Sequence, residues 1–228
     1  MSLPTMFNSV SRYKNQVLVL LLMIFFSCLL GCKKNLTIRE AVYAQNFETN
    51  DSKNITAVTG WGETLNNLVN PFNGTKVLGM FNNTLVTLKV YRLPPHNMVY
   101  VGFDFYAHDG WEGNKKSING IVDVWNVRVN NQYQLSTTFS NTPNNKQSYP
   151  DWIGVGVPAP ARGNSIDTLL PGVCAYKDRF NGTSKYRISF SRPHVDSVLV
   201  LQLNDALQGT NCNKSWSIDN LIVEAITN

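Results

Sequence analysis

The chain has no Gly-x-Ser-x-Gly elbow, no His-Glu-x-x-His helix and no Walker loop, so the sequence signatures of α/β-hydrolases, zincins and P-loop NTPases are missing. Its three histidines, His96, His108 and His194, stand apart, and its cysteines show no metal-type spacing, which excludes a zinc site of the ordinary sequence pattern. After Lys33-Lys34 no Lys/Arg run is longer than the pair Lys115-Lys116; that excludes the concentrated basic stripe of a nucleic-acid-binding protein, and no nucleic-acid partner is expected. No stretch of a dozen residues holds a helical hydrophobic period, and no internal repeat recurs. Bundles and solenoids are excluded on that ground.

What is present begins at the N-terminus. Arg12 and Lys14 precede an apolar run over residues 17–30, shorter than the roughly 20 residues of a comfortable membrane span and of signal-peptide length. It ends in Leu29-Leu30-Gly31-Cys32. Leu at −3 and Gly at −1 before Cys32 resemble the lipobox of bacterial lipoproteins. The resemblance implies cleavage before Cys32, acylation of that cysteine and a lipid-anchored domain in the cell envelope. The expected organisation is a signal peptide over 1–31, a lipidated tether over 32–42 and one domain over 43–228. An uncleaved anchor, or an unmodified cysteine behind an ordinary signal peptide, stays open. Two of the 20 basic residues and none of the 15 acidic ones lie in the leader, so the mature net charge is only +3.

Cys28 belongs to the leader and Cys32 to the lipid. Cys174 and Cys212 remain, in polar stretches of a domain expected in an oxidising compartment, where a disulfide is the natural pairing and two free thiols the alternative.

Beyond the tether the sequence reads as strands, over residues 44–49, 84–92, 98–106, 121–129, 133–139, 185–191, 197–204 and 216–225; residues 37–45 and 64–69 make at most short helical turns. Along 98–106, Val99, Val101, Phe103 and Phe105 point one way and Tyr100, Gly102, Asp104 and Tyr106 the other. Trp125, Val127 and Val129 share a face, as do Leu199, Leu201 and Leu203. Turn dipeptides such as Asn73-Gly74, Asn119-Gly120 and Asn130-Asn131 separate the runs. Many one-faced strands without helices imply two packed sheets: an all-β jelly-roll sandwich, with an immunoglobulin-like sandwich as the alternative. Trp61, Trp125 and Trp216 are assigned to its core.

Three passages occur in order: Asn46-Phe47-Glu48 with Gly60-Trp61; residues 101–114, running Val-Gly-Phe-Asp-Phe-Tyr-Ala-His-Asp-Gly-Trp-Glu-Gly-Asn; and Ser215-Trp216-Ser217-Ile218-Asp219-Asn220-Leu221-Ile222-Val223. Together they resemble jelly-roll domains of the carbohydrate-binding-module and lectin-like type. The resemblance implies a structural calcium where the first and last strands pair, held by Glu48 and Asp219. The residues themselves suggest a second oxygen cluster in Asp109, Glu112, Asn114 and Asp123, since closely spaced acids with glycine at the bends suit a hard cation; a plain polar hairpin loop is the alternative.

An acid between two tyrosines is an unusual outer surface. Sugars bind by their C–H faces on aromatic planes, with carboxylates and amides taking the hydroxyls. The expected ligand face is Tyr100, Asp104 and Tyr106 with Asn126 and Arg128, rimmed by Trp111, Tyr149 and Trp152. Burial of that face under the long segment 141–184 is the alternative. The functional expectation is a glycan-binding, lipid-anchored envelope protein, against an adhesive protein binding a protein partner, or a glycan hydrolase. The last needs two carboxylates across a cleft, for which only Asp104 with Asp109 or Glu112 is available, and the paired-Glu strand motif of jelly-roll glycanases is missing.

Overall fold

Alternating burial organises the domain, and it is clearest along one strand. In the computed structural model, which describes residues 37–228, Val99, Val101, Phe103, Phe105 and Ala107 are completely buried on one face of a twelve-residue strand. The expected leader and Cys32 lie outside the described residues.

Twelve strands follow in order: β1 (Ile38–Gln45), β2 (Ile55–Thr59), β3 (Val69–Phe72), β4 (Thr75–Phe81), β5 (Thr84–Tyr91), β6 (Met98–Asp109), β7 (Val124–Val129), β8 (Gln132–Thr137), β9 (Asp167–Leu170), β10 (Thr183–Pro193), β11 (Val198–Ala206) and β12 (Lys214–Thr227). No helix occurs among the described residues. The first sheet runs β3-β4-β12-β6-β10-β9, with β1 on the free flank of β12; the second runs β2-β5-β11-β7-β8. All pairings are antiparallel. The chain crosses between sheets from β4 to β5 to β6 to β7 and again from β10 to β11 to β12. That gives β4-β12-β6-β10 facing β5-β11-β7-β8, a jelly roll. The fold class expected from alternation is therefore the observed one.

Several local expectations are corrected. Residues 38–42, assigned to the tether, are the first half of β1, and 37–45 is strand rather than helical turn. Strands β3 and β9 were not expected, and neither were β2 and β4. Their apolar residues lie between Gly, Asn and Lys, and β4 carries Gly79 at φ 153°, where a Cβ would collide with Ser217 of β12. The cysteines pair as anticipated, Cys174 to Cys212, with Cα atoms 4.9 Å apart.

The main core fills the space between the sheets. A smaller apolar cluster lies on the outside of the first sheet, where Phe72, Val77 and Tyr106 pack with Met80, Leu170 and Val173. Beneath it sits His108, fully buried, with Nδ1 at 2.9 Å from the Thr183 hydroxyl and Nε2 at 2.8 Å from the Ser217 hydroxyl. Its ring meets Phe72 edge-on at 4.7 Å. Burial pushes its pKa down to about 3. The unfolded chain takes up this proton near the ordinary histidine value while the native state refuses it, so the stability is fully present above pH ~6.5 and is lost as pH falls toward 3. The group alone removes on the order of 1 kcal/mol per pH unit across that window. A series of melting temperatures from pH 7 to pH 4 should therefore fall less steeply for His108→Gln than for the native chain; parallel curves would contradict the assignment.

Candidate functional site

The outer face of the second sheet is polar, and pairing register lays its side chains in rows. Thr56, Thr87, Gln202, Arg128 and Tyr133 form one row across all five strands; Val58, Leu85, Asn204, Asn126 and Ser136 form the next. Tyr133 reaches this face through a register shift between Val127 and Arg128, which sets Leu135 opposite Val127 and Tyr133 opposite Arg128. A bulge of that kind turns a side chain to the other face. The Arg128 guanidinium lies over the Tyr133 ring at 4.2 Å and donates to its hydroxyl. Trp152 meets Tyr133 edge-on at 6.3 Å. Its loop is tied to β8 by the Ile153 amide donating to the Ser136 carbonyl at 2.8 Å and by the Thr137 hydroxyl donating to the Asp151 carbonyl at 2.8 Å.

A cleft of about 270 Å³ opens at one end of this face, lined by Val58, Gly60, Asn83, Leu85, Arg128 and Asn204 among others. Gly60 is fixed by its amide donating to the Asn83 carbonyl at 2.7 Å, and the next residue, Trp61, is 93% exposed on the hairpin tip. Arg128 Nε, Gln202 Oε1 and Asn204 Oδ1 are shielded from solvent yet have no hydrogen-bond partner among the described residues. Most such groups in folded proteins are paired, so these three carry an unmet hydrogen-bonding demand just beneath the polar rows. Exposed aromatics at its margins, Tyr133 and Trp152 on one side and Trp61 at the cleft, complete an arrangement of stacking planes around a polar floor.

The residues expected to form one site divide between the two sides of the sandwich. Asn126, Arg128 and Trp152 belong to the face just described. Tyr100, Asp104 and Tyr106 lie on the outside of the first sheet, with both layers and the core between. The alternation was read correctly within each strand, but β6 and β7 belong to different sheets, so their outward faces look away from one another. Tyr106 is buried in the small outer cluster, under Leu170 and Val173 of the long segment. Tyr100 is half-buried along Gly102 with Arg39 over its ring at 5.5 Å. Asp104 takes Lys185 at 2.9 Å, Arg187 at 3.1 Å and the Asn220 amide at 2.9 Å. Desolvation acts to raise its pKa, but hydrogen bonds from Lys185, Asn220 and Arg187 together outweigh it and hold the group below the ordinary carboxylate value. Trp111 is wholly in the core, its indole donating to the Ser215 carbonyl at 2.8 Å. Tyr149 packs on Phe139 and Tyr186 and donates to the Arg187 carbonyl at 3.1 Å. Neither forms a rim. Trp61, assigned to the core, is the most exposed tryptophan. A shallow depression of about 470 Å³ on the first sheet is lined by Asn46, Arg187 and Asn220, whose polar groups already serve Glu48 and Asp104.

Sequence reasoning missed Tyr133, Gln202 and Asn204. Tyr133 has the parity of Leu135 and reads as core; only the bulge reverses it. Gln202 and Asn204 do alternate with Leu201 and Leu203, and that signal was available.

The residues expected to hold calcium each have other partners. Lys214, almost fully buried, places its ammonium 2.8 Å from Asp123 and 3.3 Å from Glu112, at the centre an ion would need. Asp109 instead accepts from the amides of Cys174 and Tyr176, and Asn114 from the hydroxyls of Thr138 and Ser148. At the other pair, Glu48 accepts from the Thr75 hydroxyl and from the Lys76 amide at 3.1 Å, while Asp219 accepts from the Asn220 amide at 2.7 Å. Burial, with Asp104 and Glu48 nearby, pushes Asp219 up to about 6. Among the described residues no three Asp, Glu, His or Cys side chains converge as a metal site; calcium wants six to eight oxygens.

No protein-family model matches the chain, and no curated protein matches it in sequence. Solved structures do resemble it. Dimeric latent PorU from Porphyromonas gingivalis is 13% identical over 63% of this chain, with a TM-score of 0.39, and the chain spans only 10% of that protein. The K3 cleaved adhesin domain of Lys-gingipain (Kgp), also from Porphyromonas gingivalis, is 12% identical over 82% of this chain and 99% of its own, TM-score 0.35. TmCBM61, solved in complex with beta-1,4-galactotriose, is 9% identical over 83% of this chain and 88% of its own, TM-score 0.32. Likeness at this level leaves ligand and residue roles to the site itself.

Lys214→Ala would strand Asp123, 2% exposed, without its cation. Breaking a buried pair from one side costs about 3–5 kcal/mol, so the variant should melt roughly 10 °C lower. Addition of millimolar calcium to the native chain should leave its melting temperature unchanged. A calcium-dependent rise abolished by chelator would overturn the assignment of lysine to that centre.

Proposed function

We propose that this is a non-catalytic glycan-binding domain of the cell envelope and that the outer face of the second sheet is its recognition surface. The supporting observation is the polar floor of Arg128, Asn126, Gln202 and Asn204, of which Arg128, Gln202 and Asn204 carry unpaired hydrogen-bonding atoms, bordered by exposed aromatic planes. A saccharide ring offers the complement: an apolar C–H face for Tyr133, Trp152 or Trp61, and hydroxyls that both donate and accept toward guanidinium and amides. Capture is non-covalent. The carboxylates that a hydrolase would use are on the first sheet or bound to lysines.

In this reading the chain is cleaved before Cys32, acylated there and held at a membrane. Strand β1 starts at the end of the sandwich where β5, β7 and β10 finish. The cleft at Gly60 and Asn83 is at the opposite end of the sandwich from the start of β1. A second reading, adhesion to a protein partner through the same margin, draws on Val155 and Val157, exposed beside Trp152.

A glycan array separates the two. Arg128→Ala and Tyr133→Ala should each weaken binding to any captured saccharide at least tenfold, while Tyr100→Ala on the opposite sheet should bind as the native chain does. Equal loss in all three, or loss in Tyr100→Ala alone, would move the site to the first sheet. No saccharide captured at all would leave adhesion as the better reading.

A further inference from the structure

Two histidines 98 positions apart in sequence meet at the end of the sandwich where β1 starts. His96 Nε2 and His194 Nδ1 are 2.7 Å apart. The rings are 15° from parallel with centroids 5.0 Å apart, a spacing at which the two nitrogens point at one another nearly in plane. This is a direct imidazole–imidazole hydrogen bond, and its neighbours fix where each proton lies. Asn130 Oδ1 accepts the Val200 amide at 2.9 Å, so its Nδ2 is the atom facing His194 Nε2 at 3.1 Å and Asp196 at 3.2 Å. His194 Nε2 must then accept, and its Nδ1 carries hydrogen. His96 Nε2 accepts from that Nδ1, and His96 Nδ1 donates to the Pro94 carbonyl at 2.6 Å. The chain of bonds is complete with both rings neutral.

A further proton has no place in this chain. On His96 Nε2 it faces the hydrogen on His194 Nδ1. If His194 changes tautomer to accept it, the displaced hydrogen moves to Nε2 and faces the Asn130 amide. On His194 Nε2 it faces that amide directly. Each case sets two donors against each other, and Asn130 cannot turn its oxygen round without losing Val200. Around the pair, the Asp196 carboxylate and the Val198 carbonyl favour a charged His194, and His96 and Arg192 oppose it; the Arg192 guanidinium holds the same hairpin through the Val129 carbonyl at 3.1 Å and Gln132 at 2.6 Å.

We infer that the His96–His194 pair is a proton-operated latch on the β7–β8 turn: neutral, it holds Asn130; protonated, it releases Asn130 and passes His194 to Asp196. The turn is Asn130-Asn131, both at positive φ, 47° and 62°. Arg128 and Tyr133 stand two residues to either side, so release loosens the strand ends that carry them. That last step, regulation of saccharide binding by acid, rests on the recognition face proposed above; the latch itself does not. Burial and the neighbouring His96 lower the His194 pKa below the ordinary histidine value, which puts release on the acid side of neutrality.

The test is amide hydrogen exchange at Val200, corrected for intrinsic pH dependence, on the full chain at pH 7.5 and pH 5. Protection at Val200 should fall at least tenfold at pH 5 in the native chain and stay constant in a His96→Gln/His194→Gln double variant. Asn130→Asp should reverse the sign, because a carboxylate at that position accepts from charged His194; its protection should rise at pH 5. Constant protection in the native chain, or loss at pH 5 in the Asn130→Asp variant, would overturn the latch. Saccharide affinity measured on the same samples should fall at pH 5 in step with Val200. Release without any saccharide binding would sink the recognition face and leave the latch standing.

Discussion

The packing around Phe105 holds the two layers in their relation. Its ring lies 4.4 Å from both Trp125 and Phe139 and within 6.3 Å of Trp111, Tyr186 and Trp216. These partners come from β7 in the second sheet, from β10 and β12 in the first, and from the loops after β6 and β8. Aromatic pairs of this geometry contribute about 0.5–1.5 kcal/mol each beyond burial, and a Phe→Ala change in such a place removes roughly 3–5 kcal/mol. Phe105 therefore fixes both the spacing of the sheets and the paths of the two loops that close one end. Two of the three buried indoles are paired, Trp111 to the Ser215 carbonyl and Trp216 to Asp205 at 2.7 Å, where Asp205 also accepts from the amides of Asn83 and Thr84; the Trp125 indole nitrogen has no partner among the described residues.

That centre decides which aromatic residues are free to act outside. Trp111, Trp125 and Trp216, with Tyr149 and Tyr186, are used within it or against it. On the outside of the first sheet Tyr106 is used in a small apolar cluster over His108. The second sheet has no such cover. Its outer rows stay polar, and the aromatics at its margins stay exposed. The chemical asymmetry between the two faces follows from where the long segment between β8 and β10 packs: Leu170 and Val173 cover the outside of the first sheet, whereas on the second the segment touches only the β8 edge, through Trp152 and Ile153.

Strand alternation was legible wherever a strand is regular. Val99 to Phe105, Trp125 to Val129 and Leu199 to Leu203 all point inward as their periods require, and the disulfide follows from compartment and count. What alternation alone does not carry is sheet membership. Asp104 and Arg128 are both outward-facing, yet they face opposite ways because β6 and β7 lie in different layers. It also does not carry bulges: a single shift at Val127 takes Tyr133 from the core parity to the surface. Lone acids and lone histidines are the third blind spot. Asp123 reads as a metal ligand until Lys214, 91 positions later, is seen to reach it, and His96 reads as isolated until His194 faces it. Trp61, by contrast, sits between Gly60 and Gly62 in sequence, the setting of a turn tip rather than of a core strand.

The division of the tryptophans between centre and surface underlies both the stability of the sandwich and the choice of recognition face. Acrylamide quenching of tryptophan fluorescence measures it directly. The chain has five tryptophans, of which only Trp61 and Trp152 are exposed among the described residues. A Trp61→Phe/Trp152→Phe variant should lose the quenchable fraction of the emission and keep a blue-shifted, protected remainder. A remainder as quenchable as that of the native chain would show that Trp111, Trp125 or Trp216 is open to solvent, and the centre around Phe105 would not exist as described.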